Sequence, residues 1–108
     1  MTVSYVNKRG KKVVVQVGRH PVLQYQARWN RARPDDPIAS DEAWRRIEQK
    51  FPNARLVQNL TGREQHRMRK YGNGKDTLYF RGTYFTYVVC DGRMMTVELS
   101  DWNLRPLN

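Results

Sequence analysis

The chain has 108 residues, 39% of them apolar and 11% aromatic, and 20 Lys/Arg against 10 Asp/Glu give it a net charge of +10. That length holds one domain around one core, residues 1–108, and aromatic content of this order sets it apart from disordered chains. A lone cysteine, Cys90, excludes an internal disulfide framework, two histidines are too few for a structural zinc site, and no apolar run nears the roughly 20 residues of a membrane span.

The opening residues MTVSYVNKRGKK place their charges after the apolar positions, the reverse of a secretory signal, so a cytoplasmic location without membrane contact is expected. TVSYV and KKVVVQV, joined by NKRG, are rich in β-branched residues and read as a β-hairpin, with Gly10 suited to the turn. Pro21 stands where a first helical position would be, and Val22, Tyr25 and Trp29 follow at the spacing of one buried helix face. RARPDDP is a loop. Ser40 is placed to cap a second helix, with Asp41 and Glu42 in its first turn and Trp44, Ile47 and Phe51 on its inner face, and Pro52 ends it.

ARLVQNL is a short strand candidate, and DTLYFRG and TYFTYVVC are further strands. Asp91-Gly92 is a strong two-residue hairpin signal. Regular pairing across it sets Cys90 opposite Arg93, Val88 opposite Met95, Thr86 opposite Val97 and Tyr84 opposite Leu99. The face formed by Tyr84, Thr86, Val88, Met95, Val97 and Leu99 is then expected to be the core face, because the other carries Glu98. The fold class is α+β: an N-terminal β-hairpin, two helices, and C-terminal antiparallel strands forming one sheet with the helices packed on one face.

Charge is unevenly spread. Residues 34–50 hold five acids and three bases, which loop and helix-start chemistry explains, so the remainder has 17 bases against five acids, a net of +12. A field of that sign attracts polyanions, nucleic acid first among them. Residues 63–75, REQHRMRKYGNGK, concentrate it. If helical, they set Arg63, His66, Arg67 and Lys70 on one face, where like charges repel unless an anion neutralises them. His20, Gln24, Arg28 and Arg31 form a second polar stripe on the first helix.

The order hairpin, helix, helix, three antiparallel strands resembles the RelE/ParE toxin superfamily, as does the ending LYFRGTYFTYVVCDGRMMTVELSDWNLR. The matching positions are Arg81, Tyr84, Asp91-Gly92 and Arg105, while Phe85 stands where many members carry an arginine used on RNA. The resemblance implies a small basic ribonuclease-like or gyrase-inhibiting domain.

Three readings follow. The first is nucleic-acid binding, RNA over DNA, through Arg28, Arg31, Arg63, Arg67, Arg69, Lys70 and Lys75. The second adds metal-independent RNA cleavage, with His20 and His66 transferring protons and Arg81 stabilising the phosphorane charge. The third, an alternative, is a phage- or mobile-element-type accessory inhibitor on an acidic protein partner such as an antitoxin or a host enzyme, with Tyr71 and Trp102 as anchors. Tyr79, Phe85 and Tyr87 are candidates for a base-stacking platform beside Arg81. Glu98 and Glu64 are alternative bases, with Glu98 expected at the rim of its strand. No cofactor and no metal are expected, since no Gly-rich phosphate loop or ligand spacing is present.

Overall fold

The structure is a computed structural model, and it describes residues 1–57 and 77–100. Strands β1 (Thr2–Val6) and β2 (Lys12–Val17) form the hairpin, followed by helices α1 (Arg19–Ala32) and α2 (Ser40–Lys50). A 3₁₀ turn (Phe51–Asn53) leads into β3 (Arg55–Leu56), then come β4 (Thr77–Arg81), β5 (Phe85–Cys90) and β6 (Arg93–Leu99). One mixed sheet holds all six strands in the order β1-β2-β6-β5-β4-β3, which gives an α+β fold. Among the described residues no helix is long and apolar enough to cross a membrane.

Local chemistry accounts for the elements. In the first turn the Asn7 side-chain oxygen accepts from the backbone N–H groups of Arg9 and Lys11 at 2.9 and 3.0 Å, and Gly10 takes φ 75°. Helix α1 starts two residues ahead of Pro21, which its first turn tolerates because those N–H groups have no intrahelical acceptor. Val22, Tyr25 and Trp29 are buried as their spacing predicts. Helix α2 begins at Ser40 itself with Ala39 as the preceding cap residue, so the Ser40 hydroxyl makes no capping bond. Its inner face is Ala43, Ile47 and the following Phe51, with Trp44 half-buried.

The loop between the helices is pinned by side chains. Asn30 exchanges bonds with the backbone of Ile38, at 2.8 Å to its N–H and 3.1 Å from its carbonyl, and the Trp29 indole N–H donates to the Asp36 carbonyl at 2.7 Å.

The β5–β6 hairpin corrects the expected core face. Asp91 (φ 51°) and Gly92 (φ 73°) make the turn, and Cys90 pairs with Arg93, but the register shifts beyond it. Val89 pairs with Met94 while Val88 pairs with Thr96, leaving Met95 as an extra, exposed residue. This bulge resets the alternation of β6, so Val97 and Leu99 share the core face with Met94. The β5 residues on that face are Phe85, Tyr87 and Val89, and the expected set Thr86 and Val88 lies on the opposite face, also buried. Phe85 and Tyr87, each 1% exposed, are therefore core residues and offer no stacking platform. Tyr79 is buried too, on the second face with Val88 and Val57.

Strand β2 pairs with β6 only at Gln16–Arg93 and Val17–Met94, in parallel. Beyond that point α1 takes the place of a strand along β6. Tyr25 packs on Phe85 with ring centroids 4.1 Å apart, and the Tyr5–Phe80–Phe51 cluster closes the other end of the core.

Candidate nucleic-acid interface

A row of polar side chains crosses the sheet on the face opposite Phe85, Tyr87 and Val97. Arg55 of β3 lies opposite Arg81 of β4, Arg81 opposite Thr86 of β5, and Thr86 opposite Glu98 of β6. Directly paired residues project on the same side of a sheet, so these four form one line perpendicular to the strands. Arg28 completes it from α1, with Nε donating to Glu98 Oε2 and Nη2 to Oε1, both at 3.0 Å.

The expectation of Glu98 as a rim charge is thus corrected. Glu98 is 7% exposed and held in a two-pronged ion pair. Such geometry satisfies both carboxylate oxygens, the condition for keeping a charge out of water. It also occupies Arg28, which the sequence suggests as a nucleic-acid contact.

At the β3–β4 end the row opens into a cleft of about 610 Å³ lined by Asn53, Arg55, Arg81 and Thr83 among others. Gly82 suits the close approach there, since a Cβ on it would sit 3.2 Å from the Phe85 carbonyl oxygen, a tight contact. A smaller cleft of about 200 Å³ shares Asn53, Gly82 and Thr83 and adds Lys50 and Tyr84. The Lys50 ammonium stands 5.9 Å from the Tyr84 ring centroid. The Ser100 hydroxyl braces this turn, lying 3.1 Å from the Thr86 hydroxyl and 3.4 Å from the Gly82 carbonyl.

Two guanidiniums at paired positions suit an anion lying over both, since each can donate in a fixed fork to its oxygens. Several cations elsewhere on the surface are engaged within the protein. Glu42 engages Arg45 and Arg46, and their hydrogen bonds hold its carboxyl below the ordinary range. Arg46 also stacks over Trp29 at 4.5 Å. In contrast Lys8, Arg9, Lys11, Lys12, Arg19, Arg31 and Arg55 make no ion pair among the described residues.

The candidates named from sequence separate into groups. Arg81 and Arg28 stand at different points of the one row. Arg31 is exposed in the last turn of α1. His20 is exposed at the start of α1, eight residues before Arg28, which is roughly 12 Å along a helix axis. It follows by three residues Val17, which pairs with Met94 of β6, and so stands apart from the Arg28–Glu98 pair. Arg63, His66, Arg67, Arg69, Lys70, Tyr71 and Lys75 fall in residues 58–76, which join β3 to β4 and lie outside the described residues, as do Glu64, Trp102 and Arg105. Among the described residues no three His, Cys, Asp or Glu side chains gather as metal ligands do.

Sequence reasoning missed Arg55, Lys50, Asn53 and Thr83. Only the β3–β4 pairing brings them together, and a two-residue strand carries too little pattern to announce its partner. No protein-family model, curated protein or solved structure matches this chain.

Proposed function

We propose that this protein binds nucleic acid, RNA in preference to DNA, through the Arg55–Arg81 end of the polar row. The observation that carries the reading is the direct cross-strand pairing of Arg55 with Arg81 over a cleft that Asn53 and Thr83 also line. Guanidinium pairs hold phosphate oxygens in a fixed fork, and Asn and Thr side chains supply neutral donors beside them. In sequence, the connection between β3 and β4 carries five further Lys/Arg within residues 63–75. The preference for RNA rests on the resemblance to RelE/ParE toxins, whose matching positions Arg81 and Tyr84 bracket the Gly82–Thr83 turn of the two clefts.

Binding carries further than cleavage as a reading. Metal-independent cleavage needs a proton acceptor and a proton donor beside the phosphate. His20 stands off the row, Glu98 is committed to Arg28, and His66 and Glu64 lie outside the described residues.

The test is the affinity for a single-stranded RNA, and for DNA of the same sequence, over a range of salt. Each phosphate contact contributes about 0.7 to the slope of log affinity against log salt for single strands, so Arg55→Ala and Arg81→Ala should each flatten it by about that amount. Unchanged affinity and slope in both variants would overturn the proposal.

A further inference from the structure

Among the described residues β1 and β3 stand at the two ends of the sheet, and both contribute to a groove of about 600 Å³ whose lining includes Tyr5, Val6, Lys8, Arg9, Leu56 and Leu78. In an antiparallel pair, successive residues turn both backbone groups toward the neighbour or both away from it. The Val17 N–H donates to the Met1 carbonyl and the Asn7 N–H to the Lys11 carbonyl, which sets the phase of β1. Met1, Val3, Tyr5 and Asn7 face β2, so Thr2, Ser4 and Val6 turn their N–H and C=O groups to the outer edge. On the other wall the Val57 N–H donates to the Tyr79 carbonyl, so Leu56 turns its backbone groups away from β4.

The outward groups of Val6 and Leu56 have no hydrogen-bond partner among the described residues. The side chains are also presented, Val6 at 70% and Leu56 at 38% exposure. Strand β1, TVSYV, has no charge, no proline and no bulge, the devices that ordinarily keep an edge from pairing. At its end Lys8 and Arg9 line the groove without an ion pair.

We propose that this groove takes an extended acidic segment of a partner polypeptide, which adds as a strand against β1. The alternating donors and acceptors of an edge match an amide backbone, whereas a nucleic-acid strand offers phosphate acceptors and no matching donors. The exposed Val6 and Leu56 take apolar side chains on one side of that segment, and Lys8 and Arg9 select acidic ones. A second copy of this chain is disfavoured by its own net charge of +10.

The probe is a labelled octapeptide of alternating Glu and Val, set against the same peptide N-methylated at alternate residues and against a uridine octamer. The alternating peptide should bind at concentrations below about 1 mM and slow amide exchange at Val6 and Leu56. Lys8→Ala with Arg9→Ala should weaken it and reduce its salt dependence. Val6→Pro removes one outward donor while leaving the β1–β2 bonds intact, and should cost about fivefold in peptide affinity. That variant should keep the melting temperature and the RNA affinity of the parent. If it does not fold, amide exchange on the unaltered protein decides. The proposal is overturned if the peptide leaves both amides unprotected, if the N-methylated peptide binds equally well, or if the uridine octamer protects the same amides. Loss of RNA binding in Arg55→Ala belongs to the other surface, so the two readings fail separately.

Discussion

Arg28 and Glu98, separated by 70 positions in the chain, meet through two parallel hydrogen bonds of 3.0 Å and so tie α1 to β6. Glu98 is the member shielded from water, with 9% of its side chain exposed against 25% for Arg28. Removing a partner leaves a charge stranded. Breaking a fully buried pair costs about 3–5 kcal/mol, and the partial exposure of Arg28 brings the expected loss for Glu98→Ala to about 2–3 kcal/mol. Replacing both residues, Arg28→Met with Glu98→Leu, should recover most of that loss in denaturant unfolding. A double variant no more stable than Glu98→Ala would mean the pair contributes more than its own repair.

The adjacent arginines make a prediction about coupling. If one phosphate group bridges Arg55 and Arg81, the losses of RNA affinity in the two single variants should not add. The double variant should fall short of their sum by at least about 0.5 kcal/mol, the scale on which contacting residues couple. Strict additivity would mean that the two guanidiniums contact separate phosphates.

Tyr25 gives a signature at alkaline pH. Burial pushes its hydroxyl up from 10.0 to about 12, with the Arg46 guanidinium offsetting part of the effect. Above pH 10 the unfolded tyrosine loses its proton while the folded one keeps it, so stability is present below pH 10 and is lost as pH rises toward about 12. The slope from this residue is about 1.4 kcal/mol per pH unit. The Tyr25 oxygen lies close to the Arg46 guanidinium but makes no well-formed hydrogen bond among the described residues. Tyr25→Phe should therefore keep or raise the melting temperature at neutral pH and make the alkaline decline shallower. Tyr87, also raised by burial, maintains the remainder.

Met95 is the extra residue of the bulge, and the pairings on either side of it are Val89–Met94 and Val88–Thr96. Deleting Met95 joins these into a regular ladder without moving any core residue to the other face. The deletion should fold with its amide protection on β5 intact. Deleting Val97 instead removes a core residue and brings Glu98 toward the core, and should prevent folding. Equal stability of the two deletions would contradict the bulge.

Much of the fold was legible because periodicity reports burial. Val22, Tyr25 and Trp29 needed only their spacing, and the Asn7–Gly10 and Asp91–Gly92 turns announced themselves by residue type. The bulge did not, since Met95 is neither glycine nor polar and nothing local separates it from Met94. That single residue decided which face of β5 was the core, and with it the fate of Phe85, Tyr87 and Glu98. Of the candidate row, the sequence singled out Arg81 as a basic residue in a strand between aromatics. Arg55 was not legible, because its meaning depends on a strand partner chosen by the tertiary fold.

The passage of β6 from β2 to α1 has a kinetic consequence. Both contacts on that flank, the two-residue parallel pairing with β2 and the α1 packing that carries Arg28 to Glu98, join the opening third of the chain to its last strand. The β1–β2 hairpin and the two helices are local and form early, yet none of them can bury Tyr25 until β5 and β6 are in place. Loop closure on that scale delays the rewarding contacts, so the unsealed intermediate exposes Tyr25, Phe51 and the uncharged edge of β1 together. Docking of the β5–β6 hairpin against α1 is then the step expected to limit refolding.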